Sequence, residues 1–122
     1  ELLEVEINQQ ILDVGCGSGW TTALLGSIVG KNGKVTGLER IDELVVFGQQ
    51  NISKYKNLPI SIRKAGKKLG MTGKLFDRIL VSAAADSLSD DLINQLKVEG
   101  ILVMPIKNSL IKAVKKPDNS VV

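Results

Sequence analysis

The chain has 122 residues, 43% of them hydrophobic and 24% charged, which fits a single soluble domain with one core. No apolar run approaches the roughly 20 residues that cross a bilayer, and the opening Glu1-Leu2-Leu3-Glu4 is not that of a signal peptide. Cys16 is the only cysteine and histidine is absent, which rules out an intramolecular disulfide and a usual zinc site and points to a reducing, cytoplasmic setting. The net charge of +3 is too small to steer a polyanion, and the basic runs at Arg63, Lys64, Lys67, Lys68 and at Lys112, Lys115, Lys116 lack interleaved aromatics. They read as solvated faces, with no nucleic-acid and no membrane partner expected.

In chain order, Gln10 to Val14 is a short apolar run ending in glycines, the pattern of a buried parallel strand. Trp20 to Val29 follows as a helix with apolar residues at 20, 23, 24 and 28. After the turn Gly30-Lys31-Asn32-Gly33 come a second strand, Lys34 to Glu39, and a second helix, Asp42 to Tyr55, with Leu44, Val45, Gly48, Ile52 and Tyr55 on one face. Ile60 and Ile62 mark a third strand and Asp77 to Ser82 a fourth. Ser89 then caps a helix whose Asp90 and Asp91 suit its positive end, and Leu88, Leu92 and Leu96 recur at helical spacing. Gly100 ends that connection. Ile101 to Ile106 is a fifth strand, and Leu110 to Val114 starts a sixth that runs into the turn Lys116-Pro117-Asp118-Asn119-Ser120. Val121-Val122 reads as the first residues of a further strand, so the C-terminal edge of the sheet is expected to lack its last pairing. The alternation implies one α/β domain over residues 1–122: a doubly wound, mostly parallel sheet with helices on both faces and ligands beyond the carboxyl ends of the strands.

Residues 11–20, ILDVGCGSGW, place Gly15, Gly17 and Gly19 directly after the first strand. Gly15 permits a tight turn, Gly17 lets the backbone approach a ligand, and the next helix presents free amides. Glu39 ends the second strand twenty residues after Gly19, where a carboxylate can accept from both ribose hydroxyls; the alternative is a solvated acid at a strand end. A dinucleotide loop wants glycine where Trp20 stands, and Asp13 would repel a pyrophosphate while it could face an ammonium or fix the loop amides. Those two features favour S-adenosylmethionine over a nicotinamide cofactor. Cys16, inside the loop, reads as a small loop residue with no chemistry of its own. Ser82-Ala83-Ala84-Ala85 ends the fourth strand with small residues, either an open floor over the cofactor or a site of tight helix packing.

Beyond the loop, GLERIDEL at 37–44, FDRILVSAAADSLSDDLINQLKVEG at 76–100 and ILVMPI at 101–106 resemble the protein-L-isoaspartate O-methyltransferase family, and the resemblance covers nearly the whole chain. It implies a Rossmann-like class I methyltransferase core that uses S-adenosylmethionine and leaves S-adenosylhomocysteine. The reaction implied is esterification of the α-carboxylate of isoaspartyl residues in damaged proteins, a repair chemistry. It further implies that Gly15, Cys16, Gly17, Ser18 and Gly19 cradle the methionine part near Asp13, that Glu39 holds the ribose, and that Arg40 and Ile41 border the adenine, with Ser82 beside the cofactor. Family members usually carry Gly-Asp-Gly after the third strand. Here Lys64, Ala65 and Gly66 stand there, so Ala65 offers only backbone atoms to the adenine amine. The family's segments before the glycine loop, N-terminal helices included, have no counterpart in the ten residues that precede Ile11. The chain alone is therefore expected to keep the cofactor half without useful turnover, and no catalytic side chain is assigned. Two other classes remain open on the residues: a class I methyltransferase for another small molecule or RNA, and a non-catalytic S-adenosylmethionine-binding module.

Overall fold

The computed structural model describes residues 2–83 and 85–122, so the expectation for Ala84 lies outside the described residues. Six strands form one sheet: β1 (Gln10–Val14), β2 (Lys34–Glu39), β3 (Ile60–Lys64), β4 (Phe76–Val81), β5 (Leu96–Ile106) and β6 (Ser109–Val114), in the order β3-β2-β1-β4-β5-β6. The first five are parallel and β6 returns antiparallel to β5, in register from Ile101↔Val114 to Ile106↔Ser109. The strand order reverses between β1 and β4, the place where an open α/β sheet leaves a crevice beyond the carboxyl ends of its strands.

Because successive strand residues face opposite ways, the central strands are apolar on both sides. Ile11, Val35, Ile101 and Val103 face the side covered by α1 (Trp20–Val29) through Leu25 and Val29. Leu3 joins this layer, held by the buried Arg78, whose Nε donates to the Leu3 carbonyl at 2.7 Å. α2 (Asp42–Ile52) packs beside α1 with Val45 against Cys16 and Ile62. On the other side Leu12, Leu38, Ile79, Leu102 and Met104 meet Leu92 of the short α3 (Asp90–Ile93). Among the described residues no helix is long and apolar enough to cross a membrane.

Three boundaries differ from the sequence expectation by more than one residue. α2 stops at Ile52 because Ser53 turns back, its hydroxyl donating to the Gln50 carbonyl at 2.6 Å, and Tyr55 lies in the next turn. α3 has only four residues, although Ser89 does cap it by accepting from the Leu92 N–H at 3.3 Å. Its expected continuation to Leu96 is replaced by an early start of β5, where Leu96 pairs with Phe76 and buries in the same cluster as Leu92, so tertiary pairing overrides helical spacing. Gly100 accordingly lies inside β5. At the far edge Val122 exchanges both backbone hydrogen bonds with Val114, at 2.9 and 3.0 Å, so the last residues do pair with the sheet, along β6.

Candidate functional site

The loop after β1 takes its shape from glycine conformations. Gly15, Gly17 and Gly19 all have positive φ, at 77°, 54° and 86°, a region costly for residues with a Cβ. The turn is tied to β2 by the Leu38 carbonyl, which accepts from the amides of Gly15 at 2.8 Å and Cys16 at 3.1 Å. Glu39 completes the tie. Its Oε1 accepts from the Gly17 N–H at 2.9 Å, while Oε2 accepts from Arg40 and Ile41 N–H at 3.1 and 3.2 Å, all on a side chain that is buried. A carboxylate has about four acceptor positions, so three are occupied by amides and one remains. Glu39 thus joins the glycine loop to the start of α2.

The two later glycines serve different purposes. A Cβ on Gly17 would meet nothing within 4 Å, whereas one on Gly19 would lie 2.9 Å from Ile62 Cδ1 and 3.2 Å from the Gly48 carbonyl. Gly17 therefore leaves open space above the loop. Gly19 instead lets α2 close against it, and Asn51 of α2 adds a bond from its side-chain amide to the Ser18 carbonyl at 2.9 Å.

Beneath the loop lies a buried polar group. Asp13 is fully buried on the α1 side, where its Oδ2 accepts from Thr22 Oγ1 at 2.9 Å and its Oδ1 has no partner. Burial pushes its carboxyl up to about 6, against the opposing hydrogen bond from Thr22. Cys16 sits beside it, and its thiol is pushed up to about 11, first by burial and then by the charge of Asp13. That is the setting of an inert packing thiol. A Cβ on Gly37 would come within 2.7 Å of Thr22 Oγ1 and 2.9 Å of Cys16 Sγ, so β2 leaves just enough room for this group.

Above the strand ends lies a cleft of about 640 Å³, within the range of small-molecule sites. Of the residues expected from sequence it is lined by Gly15, Glu39, Arg40, Ile41, Ala65, Gly66 and Ser82. Asp13, Cys16, Gly17, Ser18 and Gly19 are not among its lining residues. Asp13 is buried beneath the loop against Thr22, and the amides of Gly15, Cys16 and Gly17 are held by the Leu38 carbonyl and Glu39. Sequence reasoning missed Leu44 on α2, and Lys67, Lys68, Leu69 and Gly70, which continue from Ala65 and Gly66 the wall made by the connection between β3 and β4. Ala83 also lines the cleft, so this member of the small-residue run faces open space. Lys64 does not line it; its Nζ donates to the Arg40 carbonyl and to Asp42 Oδ1, both at 2.6 Å, and so latches the end of β3 to the start of α2. A separate groove of about 490 Å³ between α1 and residues 54–58 contains none of the expected site residues. Among the described residues no group of three or more acids and thiols could hold a metal ion.

Comparison with known proteins gives one consistent picture. A family model described as protein-L-isoaspartate(D-aspartate) O-methyltransferase matches residues 1–122. Among curated relatives, the protein-L-isoaspartate O-methyltransferase of Methanosarcina mazei is 34% identical over 109 residues, covering 87% of this chain and 44% of the relative. That of Pyrobaculum islandicum is 37% identical over 112 residues, covering 90% and 54%. The chain spans about half the length of the curated relatives it matches. A solved structure of a putative protein-L-isoaspartate O-methyltransferase from Plasmodium falciparum, in complex with S-adenosyl-L-homocysteine, superposes with a TM-score of 0.82 at 28% identity, over 96% of this chain and 62% of that one.

Proposed function

Because the chain belongs to the protein-L-isoaspartate(D-aspartate) O-methyltransferase family, we propose that its cleft binds S-adenosylmethionine and serves methyl transfer to the free carboxylate of L-isoaspartyl residues in proteins. The observation that carries this reading is the placement of Glu39: a buried carboxylate at the mouth of the cleft, anchored by three amides, with one acceptor position left for a ribose hydroxyl. The residues fit the group. Open space over Gly17 suits close approach of a ligand, and Leu38, Ile41, Leu44 and Leu69 supply an apolar slot of the kind an adenine fills.

S-adenosylmethionine, when bound, supplies a methyl group activated by the positive charge of its sulfonium. The chain's own residues then have to bind, orient and exclude water. Glu39 would hold the ribose; gripping both hydroxyls at once would require one of its amide bonds to be shared, most simply that of Gly17. Arg40 and Ile41 would border the adenine, with Ala65 and Gly66 offering backbone atoms only, and Ser82 would flank the ligand from the end of β4. Asp13, Cys16, Ser18 and Gly19 would act from below, as the support that fixes the loop. The acceptor carboxylate is ionised at neutral pH, so no general base is needed and the gain comes from alignment and desolvation.

Ala65 favours a second reading, a module that binds the cofactor without turnover, since the acid usual at this place is missing. Labelled-methyl transfer to an isoaspartyl peptide and to its aspartyl isomer separates the two, assayed for these 122 residues and for any longer natural chain that contains them. Base-labile label on the isoaspartyl peptide alone, from the longer chain and with little or none from the 122 residues, is the expected result. Label on neither peptide from the longer chain, with cofactor binding intact, would establish the module; equal label on both would remove the isoaspartyl assignment.

A further inference from the structure

One wall of the cleft is not held by its own sequence. Residues 65–75 join β3 to β4 without a helix or strand, and Leu69 and Gly70 of this connection line the cleft. A segment of this kind has no hydrogen-bond ladder to hold its shape. Gln95, in the turn between α3 and β5, supplies the missing bonds: its Oε1 accepts from the Met71 N–H at 2.7 Å and its Nε2 donates to the Leu69 carbonyl at 2.9 Å. The donor and acceptor on the two backbone groups fix which end of the amide is which. Gln95 is 2% exposed, and its own carbonyl accepts from the Phe76 N–H at 2.7 Å, so this residue holds the connection in its middle and at its far end. Gly70, between the two bonded residues, has φ 76°, and a Cβ there would lie 2.2 Å from Gln95 Oε1. The glycine and the glutamine therefore fit only each other.

We propose that Gln95 is a positioning residue for the cofactor cleft: its amide fixes the backbone of residues 69–71 and so sets the wall against which the adenosyl group binds. This role rests on the cofactor reading of the cleft. It requires no contact between Gln95 and the ligand, and Gln95 is not among the lining residues. A glutamine that merely filled the core could be replaced by an apolar residue of similar shape with no change in the ligand's affinity. One that positions the wall must both donate and accept.

The test uses two variants and S-adenosylhomocysteine titrated calorimetrically into the 122-residue chain. Gln95→Met keeps the volume and loses both bonds, and is expected to bind roughly tenfold more weakly than the wild type, the equivalent of about 1.4 kcal/mol. Gln95→Glu carries the distinguishing signature. As a neutral acid it can donate to the Leu69 carbonyl and accept from Met71; as a carboxylate it can only accept, and it repels that carbonyl. Burial raises its titration from an ordinary value of about 4.3 toward the neutral range. Charged groups on the surrounding elements are Lys115, which donates to the carbonyls of Ile93 and Leu96, Asp90 and Asp91 on α3, the Lys97–Asp77 pair where β5 meets β4, and Lys67, Lys68 and Lys74 on the connection. Relative to the wild type at the same pH, its affinity should be within about twofold near pH 5 and fall roughly tenfold by about pH 8. Taking the ratio to the wild type removes the titration of Asp13, which both proteins share. If Gln95→Met does not fold, the change of the Glu variant's ratio between about pH 5 and about pH 8 still carries the test. Wild-type affinity in Gln95→Met, or a Glu variant whose ratio to the wild type does not change with pH, would overturn the positioning role while leaving the cleft as the cofactor site. A wild type that binds no S-adenosylhomocysteine would overturn both, and the two failures are thereby distinct.

Discussion

The two walls of the cleft are built by different means. On the β1–β2 side the chain shapes itself: glycines with positive φ make the turn, the Leu38 carbonyl and Glu39 hold its amides, and α2 closes against Gly19. On the β3–β4 side the segment is ordered from elsewhere, by the amide of Gln95 acting on residues 24 and 26 positions away. The first wall should thus be sensitive to changes within its own motif, and the second to a residue that never meets the ligand.

Gly19→Ala should break the first wall most severely. It combines a left-handed backbone with a Cβ 2.9 Å from Ile62 Cδ1 and 3.0 Å from Ile52 Cγ2. Strain and overpacking together should cost about 3 to 4 kcal/mol of folding stability, read by denaturant unfolding. An alanine variant within about 0.5 kcal/mol of the wild type would mean that α2 does not close on the loop as described.

Next in size is the charge on Asp13. Its carboxyl is raised from 3.8 to about 6 by burial, so the folded state holds a proton that the unfolded state has lost between those two values. Stability should accordingly fall as pH rises from about 4 to about 6 and then level off, with up to about 3 kcal/mol lost from this group. Asp13→Asn should flatten that part of the profile. A wild-type curve that rises over the same window, or an unchanged slope in the variant, would show that Asp13 is not the buried acid responsible.

If Glu39 holds the ribose as proposed, Glu39→Gln should weaken S-adenosylhomocysteine binding roughly tenfold or more, because a charge-assisted bond would be lost and the new amide N–H group would face the Gly17, Arg40 and Ile41 N–H donors. An unchanged dissociation constant in a folded variant would remove Glu39 from the site. The smallest effect belongs to the second wall: if the adenine lies beside Ala65 as proposed, Ala65→Asp would add an acceptor for its amine and should tighten binding by a few-fold, about 1 kcal/mol or less. Lys64 is engaged by Arg40 and Asp42, which leaves Lys67 and Lys68 as the cations able to divert the new acid. Equal tightening of an analogue that lacks the amine would place Ala65 elsewhere.

The same contrast explains what was legible in the sequence. β1, α1 and β2 appear with the expected bounds, because their signals are local: apolar runs, glycine turns and an acid at a strand end. Glu39 and Gly15 could be placed from spacing alone. The direction of Asp13 could not, since β1 is apolar on both faces and alternation gives no way to tell which side carries the acid; it shares the α1 side with Ile11. Leu69, Gly70 and Gln95 were equally hidden. A Gln amid Leu92, Leu96 and the Asp pair reads as one more helical position, and its meeting with Met71 depends on β5 starting early beside Phe76. The available signal was Gly70, flanked by Leu69 and Met71 and close to Gly66 and Gly73, which by itself specifies a turn and not its partner.

Backbone amide hydrogen exchange with and without S-adenosylhomocysteine tests the central claim most directly, because it reports both walls in one experiment. The expected result is ligand-induced protection at residues 15–19 and 39–41 and also at 69–71, with no change along the groove between α1 and residues 54–58. Protection confined to that groove, or at the glycine loop with none at 69–71, would contradict a cofactor cleft bounded by these two walls.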